Sequence, residues 1–217
     1  MDPITKLTKG YLAFRDGRFA EQRDVYEDLV DRGQRPSVGL IACSDSRVDP
    51  SLVLQADPGD LFIIRNVANL VPPHEGNGQF HGTSAALEFA VQHLKVAHLI
   101  VLGHAHCGGI RALFDERTGD ESAPAEEGYQ FVRPWMSLVR SAHLRVEGTM
   151  PDATIDEKAQ VCEKAAVLVS LENLMTFPCI RKKVRDRELS LHGWYIDIRA
   201  CQLSIYDPAR QLFEEAG

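Results

Sequence analysis

Three short apolar runs constrain the fold of this chain more than any other feature. They occupy residues 38–42, 61–64 and 97–102, and each has the length and texture of one buried strand. Between the second and third runs, residues 83–94 carry apolar side chains at helical spacing, with Glu88 and Gln92 on the opposite face. Strands joined by crossover helices pair in parallel. The sequence therefore predicts an α/β fold, with a central, mostly parallel β-sheet flanked by helices.

The rest of the chain divides into an N-terminal arm and the body of the fold. Residues 1–33 are charged, with apolar positions at helical spacing on both sides of Asp16-Gly17, which predicts two short amphipathic helices. Such an arm needs a surface to pack on. In residues 34–217 we expect further helices over 129–146 and 155–174, and strands over 194–198 and 203–206, the last antiparallel and at the sheet edge. No linker or repeat interrupts the chain, so we expect one domain overall.

Composition argues against several classes of function. The chain has 24 Lys and Arg residues against 31 Asp and Glu residues, a net charge of −7, which offers no basic surface for nucleic acid or an anionic membrane. Its apolar runs are far shorter than the roughly 20 residues that span a bilayer, and its first residues do not form a signal peptide. Five widely spaced cysteines suit a reducing compartment. We therefore predict a cytoplasmic protein with neither nucleic-acid nor membrane partners.

Potential metal ligands follow the first and third predicted strands. Cys43, Asp45 and Arg47 alternate after the first strand, so that they can share one face as it ends. His104 and Cys107 follow the third strand at a spacing that lets both side chains converge on one ion if the chain turns into a helix there. Two thiolates and one imidazole favour zinc, and three protein ligands leave a position for water or substrate. This pattern is typical of a catalytic zinc site, with Asp45 as a displaceable fourth ligand.

The other three cysteines have a simpler interpretation. Free cysteine is among the most buried residue types. Cys162, Cys179 and Cys201 have no comparable cluster of ligands around them in the sequence, and we expect them to belong to the core.

Four sequence blocks resemble the signature motifs of β-class carbonic anhydrases. The blocks are CSDSRV at 43–48, RNVAN at 65–69, GHAHCGG at 103–109 and HGW at 192–194. Their order and approximate spacing are similar to those of the family over residues 34–206, which is most of the chain. Each block alone would be weak evidence, whereas the four in order are highly specific.

The resemblance implies a zinc enzyme, a carbonate dehydratase of the lyase class. Such an enzyme interconverts carbon dioxide and bicarbonate, with release of a proton, through zinc-bound hydroxide. The implied metal is one Zn²⁺ per chain, bound by Cys43, His104 and Cys107. Arg47 would keep Asp45 ionised and aimed. Asp45 would accept a hydrogen bond from the zinc-bound hydroxide or, in a closed inactive form, bind the metal itself.

The same resemblance implies how the chain meets its substrate and its partner. Gln34 matches a glutamine that hydrogen-bonds substrate or bicarbonate across a subunit interface. Phe62, Val67 and Phe89 match positions that line the apolar carbon dioxide pocket. Apart from the resemblance, Gly108 and Gly109 would either begin a helix whose free N–H groups face the site or allow close packing. The arm over residues 1–33 would pack on a partner subunit, in a homodimer or a larger dimer-based oligomer, and residues 34–217 would form the zinc-binding catalytic domain.

Some members of the family also carry a regulatory bicarbonate pocket. It is built from a tryptophan three residues before the first cysteine, the arginine of the RNVAN block and a tyrosine after the HGW block. Here Leu40 replaces the tryptophan, and Ile196 stands where the tyrosine is expected, so that Arg65 would have to hold the anion alone. We therefore expect the accessible-site type, without this switch pocket.

Two alternative functions stay open at this point. The first is a hydrolase of carbonyl sulfide or carbon disulfide on the same scaffold, because both are linear isosteres of carbon dioxide. The joint presence of Gln34, Asp45 and Arg47 favours carbon dioxide. The second is a non-catalytic scaffold, stabilised by zinc or active in thiol redox chemistry. The sequence contains no Cys-x-x-Cys pair, which weakens the redox version, and no Gly-x-Gly-x-x-Gly dinucleotide motif.

Overall fold

The computed structural model of the chain describes residues 1–76, 81–114 and 130–217. Within them one sheet contains six strands: β1 (Val38–Cys43), β2 (Leu61–Asn66), β3 (His98–His104), β4 (Ser190–Asp197), β5 (Gln202–Asp207) and β6 (Leu212–Glu215). Their order across the sheet is β2-β1-β3-β4-β5-β6. The first four strands in this order pair in parallel, whereas β5 and β6 add antiparallel pairs. The predicted α/β fold with a mostly parallel sheet is confirmed.

Helices precede and separate the strands. The α-helices in the described residues are α1 (Pro3–Asp16), α2 (Arg18–Glu21), α3 (Arg23–Arg32), α4 (Pro50–Val53), α5 (Gly82–Glu88), α6 (Gly108–Arg111), α7 (Val132–Met136), α8 (Arg140–Thr149), α9 (Ile155–Leu174) and α10 (Pro178–Arg185). Short 3-10 turns cover Val67–Asn69, Ala112–Phe114 and Ser137–Val139, and a π-helical turn covers Phe89–Leu94. In this part of the chain, no helix has both the length and the apolar character needed to cross a membrane.

The apolar runs are continuous because both faces of the central strands are buried. Leu40 and Leu102 belong to a core cluster on one face of the sheet, and Ile41, Leu99 and Val101 belong to a cluster on the other. Successive residues of a strand point to opposite faces, so that each run needs apolar side chains at every position. The parallel strands are thereby packed on both sides, and their chemically active residues lie where the strands end.

The predicted helices and edge strand agree with the structure in part. Helix α9 has the predicted bounds of 155–174, and the helix predicted over 83–94 is α5 continued by the π-helical turn. The segment 129–146 contains α7, a 3-10 turn and most of α8, with residue 129 outside the described residues. The prediction that the strand over 203–206 lies at the edge is wrong, because β6 pairs beyond it. Strand β6 has only four residues, too few for a visible alternation, and its register follows from the turn that Asp207 caps.

The N-terminal arm is helical and largely unsupported by the rest of the chain. Helix α1 begins after Asp2, whose side chain accepts the Thr5 N–H, and ends at Gly17, the predicted break. Helices α1, α2 and α3 contain no buried residue. Ile4, Leu7 and Tyr11 share one face of α1 and are 69%, 70% and 62% exposed. The arm therefore presents an uncovered apolar stripe.

The three cysteines expected in the core occupy three different environments. Cys162 is fully buried, Cys179 is half-buried and Cys201 is exposed. The prediction is wrong for Cys201, because this residue lies in the turn between β4 and β5 with a left-handed backbone, φ 52°. A turn residue has no neighbouring element to cover it, whatever its polarity.

Gly103 determines how closely α9 packs on β3. A Cβ atom at this position would lie 2.6 Å from Cγ2 of Val167, so that Gly103→Ala must displace the helix or the strand. We expect a destabilisation of about 1–3 kcal/mol. Gly148→Ala in α8 is the matched control, because an added Cβ there meets nothing within 4 Å, and it should be neutral or stabilising by up to about 1 kcal/mol. Urea unfolding measures both, and equal stability of the two variants would contradict the prediction.

Candidate metal centre

The candidate site lies at the switch point of the sheet. From β1 the chain passes to β2 on one side and later to β3 on the other, and such a reversal opens a crevice at the carboxyl ends of the strands. Cys43 is the last residue of β1, and His104 is the last residue of β3. Ala42 pairs with Leu102 in register, so that the two strand ends lie side by side. Parallel pairing therefore brings both sequence clusters to one point.

Two thiols and one imidazole converge there and are buried. The ligand atoms of Cys43, His104 and Cys107 all lie within 4.8 Å of one another. The two Sγ atoms are 4.0 Å apart, well beyond the length of a disulfide bond. Two thiolates bound to a tetrahedral zinc ion at about 2.3 Å each would be separated by about 3.8 Å. The observed spacing therefore fits a shared metal ion.

His104 is oriented as a metal ligand would be. Its Nδ1 atom lies 2.9 Å from the carbonyl oxygen of Ala105, to which an Nδ1–H donates, and this leaves Nε2 with a lone pair. Nε2 is buried and has no hydrogen-bond partner in the described structure. A buried polar atom without a partner is costly, and a metal-ligating histidine commonly donates its other ring N–H to a carbonyl. The donor set and this orphaned nitrogen both fit zinc.

The protonation of the three groups is strongly linked. The hydrogen bond from Cys107 is the main reason that the pKa of Cys43 is lowered to about 4. The same contact, together with burial, raises the pKa of Cys107, although the N–H groups of Ile110 and Gly109 oppose this rise. Burial is the largest single influence on the pKa of His104 and lowers it, but Cys43, the Ala105 carbonyl and Asp45 together outweigh burial, and the net shift is upward. The site thus holds one thiolate readily, and a metal that binds both sulfurs must displace a proton.

Asp45 and Arg47 form a two-pronged ion pair beside the cluster. Nε and one terminal nitrogen of Arg47 lie 2.9 and 2.7 Å from the two carboxylate oxygens, and the Arg47 N–H adds a third bond at 2.9 Å. The hydrogen bonds from the Arg47 side chain are the main reason that the pKa of Asp45 lies well below its usual range. Arg47 also donates to the carbonyl oxygen of His106 at 2.8 Å. Asp45 is therefore ionised and fixed.

Arg65 braces the segment that follows β1. Its guanidinium donates to the carbonyl oxygens of Cys43 and Asp45 at 2.9 and 2.7 Å, and it also pairs with Asp49 at 3.0 Å. These three acceptors lie on the chain that carries one potential metal ligand and the ion pair. Arg65 thus stabilises the conformation of this segment.

Glu163 is a site residue that the motifs did not reveal. It lies on α9, only 3% exposed, and its two oxygens accept the Cys107 N–H at 2.8 Å and the Tyr195 hydroxyl at 2.7 Å. Burial raises the pKa of Glu163, and both hydrogen bonds oppose the rise. One sequence signal was available, because Glu163 shares the apolar stripe of the helix with Ala159 and Val167. An acid in such a stripe indicates a buried partner.

The remaining predicted site residues are spread more widely. Gln34 is exposed between α3 and β1, and Gly108 is the exposed first residue of α6. Val67 faces α6, since a Cβ on Gly109 would lie 3.0 Å from its Cγ1 atom.

Phe62 and Phe89 pack against each other, with ring centroids 5.8 Å apart. Phe62 contacts the core cluster that contains Ile41 and Val101, whereas Cys43 and Cys107 belong to the other cluster. The single chain therefore brings the three metal-ligand candidates and the Asp45–Arg47 pair together. It leaves Gln34 and the two phenylalanines apart from them.

Fold and site define a class: metal-binding α/β proteins with two thiols and an imidazole at the switch point of a parallel sheet. The carbonic anhydrase family model matches residues 38–203. The chain is 39% identical over 201 residues to the chloroplastic beta carbonic anhydrase 5 of Arabidopsis thaliana, covering 92% of this chain and 64% of that relative. This chain therefore belongs to the β-class carbonic anhydrase family, and the resemblance drawn from the motifs is confirmed.

Solved structures agree with this assignment. The β-carbonic anhydrase CcaA is 32% identical, with a TM-score of 0.90, over 99% of this chain and 100% of that chain. One of two tetrameric β-carbonic anhydrases from the ascomycete Sordaria macrospora is 28% identical, with a TM-score of 0.76, over 93% of this chain and 95% of that chain. The fold is therefore similar to theirs along almost its whole length, although the chain spans just under two thirds of the Arabidopsis relative.

The substitution Arg47→Gln tests the hold of Arg47 on Asp45. In the unaltered protein the depressed pKa should keep the carboxylate ionised well below the pH at which an ordinary aspartate titrates, whereas in the variant it should titrate near the usual aspartate value of about 3.9. Because the folded-state pKa is lowered, the pair stabilises the fold above the unfolded pKa, and this stabilisation is lost as the pH falls through the folded pKa. Carboxyl ¹³C NMR follows the titration. Arg15→Gln, which removes an exposed pair with Asp16, is the control, and identical curves for Arg47→Gln and the unaltered protein would refute the assignment.

Proposed function

We propose that this chain is a zinc-dependent carbonate dehydratase that hydrates carbon dioxide reversibly to bicarbonate and a proton. The observation that carries the proposal is the buried group of Cys43, His104 and Cys107, with ligand atoms within 4.8 Å of one another, next to an ionised Asp45 held by Arg47. Membership of the β-class family supports it. A scaffold without catalysis would have no use for the fixed acceptor beside the cluster.

The three ligands would hold the metal through two sulfur atoms and Nε2 of His104. Zinc, when bound, lowers the pKa of a coordinated water molecule toward neutrality, an effect for which carbonic anhydrases are themselves the standard example. Three protein ligands leave one tetrahedral position free for that water. The chain's own part is therefore to fix the geometry of the donors and to supply an acceptor at that position.

Asp45 serves as this acceptor. Its Oδ1 atom accepts two hydrogen bonds from Arg47 and its Oδ2 atom accepts one, so that Oδ2 keeps a further lone pair for a water hydrogen. Because its pKa is held well below the usual range by the Arg47 hydrogen bonds, Asp45 is too weak a base to keep a proton at neutral pH. Its role is to orient the attacking oxygen toward the substrate carbon.

The accessible-site type follows from the surroundings of Arg65. Its donors are already directed at Cys43, Asp45 and Asp49, and Leu40 is fully buried in the core with no polar atom to offer. The tryptophan and the tyrosine that would complete a bicarbonate pocket are replaced by Leu40 and Ile196. We therefore infer a site that exchanges water and substrate without an anion-operated switch.

Carbon dioxide is small and has no dipole, so it needs an apolar surface close to the metal. Val67, beside α6, supplies part of this surface. The Phe62–Phe89 pair lies apart from the cluster in its own chain and would supply an aromatic part from the partner subunit. Gly108 begins the helix whose second and third N–H groups face the Cys107 sulfur. Gln34 is exposed in its own chain, so that its amide is free to reach across an interface. There it would donate a hydrogen bond to the substrate or product in the site of the partner subunit.

The reaction is tested by stopped-flow carbon dioxide hydration between about pH 6.5 and 9 on protein of measured zinc content. We expect about one zinc per chain and activity that rises to an alkaline plateau, because two thiolates leave the metal less electron-poor than three imidazoles would. Zinc removal by a chelator should abolish activity, and zinc addition should restore it.

Cys43→Ser is the informative variant for this test. Loss of a direct ligand should lower zinc content and activity more than the roughly ten- to hundredfold typical of outer-shell substitutions. Cys162→Ser is its matched control, because Cys162 is equally free and buried but lies outside the cluster. Full zinc without hydration at any pH would overturn the proposal, and carbonyl sulfide would then be the substrate to test.

We also propose that the arm packs on a second copy of the chain. The exposed stripe of Ile4, Leu7 and Tyr11 requires a cover, and a homo-oligomer supplies one that also brings Gln34 toward a neighbouring site. The tetrameric Sordaria macrospora enzymes support oligomerisation. A cytoplasmic location stays a prediction, since one relative is named chloroplastic.

Sedimentation velocity tests the arm directly. We expect the unaltered chain to sediment as a dimer or a multiple of it, and the triple substitution of Ile4, Leu7 and Tyr11 by serine to shift it toward the monomer, because the apolar area buried at the interface is lost. The double variant Lys6→Ser/Lys9→Ser, on the same helix, is the polar control and should leave the assembly unchanged. A monomeric unaltered protein would refute the proposal.

A further inference from the structure

Residues 104–107, which we call the ligand loop, contain one peptide group that is held at both of its polar atoms. This peptide joins His106 to Cys107. Its carbonyl oxygen accepts a hydrogen bond from Arg47 at 2.8 Å, and its N–H donates to Glu163 at 2.8 Å. A cation lies at the negative end of the peptide dipole and a carboxylate at the positive end, so that both contacts favour the same orientation.

The loop needs such a restraint. His104 and Cys107 are only three residues apart, and His106 between them has a left-handed backbone, φ 57°, which is unfavourable for a residue with a side chain. Cys107 is then extended, with φ −67° and ψ 117°, before α6 begins. The two torsions that flank this peptide, ψ of His106 and φ of Cys107, set the direction of the Cys107 Cα–Cβ bond, so that holding the peptide also holds the direction of the sulfur.

Glu163 is itself rigidly placed. Its second oxygen accepts the Tyr195 hydroxyl at 2.7 Å, so that one carboxylate connects α9, β4 and the ligand loop. Glu163 also lines a cavity of about 160 Å³ with Ala105, His106 and Arg111. The carboxylate and two residues of the loop between His104 and Cys107 therefore border the same space.

We propose that Glu163 is a positioning residue for Cys107: by holding the His106–Cys107 peptide, it pre-sets the sulfur for metal binding and slows the release of the metal. The inference rests on the zinc site of the proposed function, but it concerns metal retention and not the reaction. Outer-shell partners of this kind typically change metal affinity about ten- to hundredfold when they are removed.

A merely structural role is the competing explanation, and the same helix offers a control for it. Ser170 on α9 is also fully buried, and its hydroxyl accepts the Val71 N–H at 3.2 Å and donates to the Asn69 carbonyl at 3.3 Å. Ser170→Ala thus removes a buried side chain that binds backbone groups, as Glu163 does, but touches no residue of the ligand loop. It should lower the melting temperature and leave zinc binding unchanged.

The test measures the rate of zinc transfer from the loaded protein to a chromophoric chelator. In Glu163→Leu both acceptors are lost without a large change in volume, and zinc should leave about ten- to hundredfold faster. Glu163→Gln keeps a weaker, neutral acceptor for the Cys107 N–H, because the Tyr195 hydroxyl can rotate and accept from the amide. Its rate should lie between those of Glu163→Leu and the unaltered protein, and Ser170→Ala should match the unaltered protein.

Cobalt provides a second readout that activity does not supply. Thiolate-to-cobalt charge-transfer absorbance per bound cobalt reports how many sulfurs bind the metal, and in Glu163→Leu we expect it to fall while Ser170→Ala keeps the full value. Both Glu163 variants releasing zinc at the unaltered rate, with unchanged cobalt spectra, would overturn the inference. If Glu163→Leu does not fold, the comparison of Glu163→Gln with Ser170→Ala decides alone. Zinc retention that responds to Glu163 in a protein without hydration activity would refute the proposed reaction and leave the inference standing.

Discussion

The site depends on the parallel pairing of β1 with β3. Because these strands run in the same direction and in register, with Ala42 opposite Leu102, Cys43 and His104 end at the same edge of the sheet. Both strands are packed on both faces, so that neither can slide without moving every buried side chain to a new neighbour. The distance between the first thiol and the imidazole is therefore a property of the whole sheet.

Burying ionisable groups at this edge is costly, and the surrounding contacts offset that cost. The Asp45 carboxylate is paired with Arg47, the carbonyl groups after β1 accept from Arg65, and Glu163 accepts two hydrogen bonds. Isolated charges would lose their hydration here, whereas paired and hydrogen-bonded charges keep a fixed geometry. The hydrogen bonds that stabilise these buried groups are thus the same bonds that fix the geometry of the candidate site.

The sequence was informative where structure is local and uninformative where it is not. The apolar runs indicated β1, β2 and β3, and the residues directly after them gave Cys43, His104 and Cys107, because a strand end and its next residues are adjacent in the chain. Strand β6 was missed, since four residues paired across a turn carry no periodic signal.

Glu163 was missed for a different reason. Its partner Cys107 is 56 residues away in the sequence, and only the packing of α9 on β3 brings them together. The arm is similar in this respect. The sequence shows its apolar stripe but not the surface that covers it, and the single chain leaves the stripe exposed.

The close approach of α9 connects the fold to the chemistry. Gly103 has no side chain, and a Cβ there would lie 2.6 Å from Val167 and 3.7 Å from the carbonyl oxygen of Glu163. Because this side chain is missing, the backbone of α9 can lie directly against the end of β3, just before His104. At that distance the Glu163 carboxylate reaches the Cys107 N–H, whereas a helix displaced by the width of a methyl group would lose the 2.8 Å hydrogen bond. Gly103 thus acts on Cys107, a candidate metal ligand four residues later, through a helix that begins about fifty residues after the glycine.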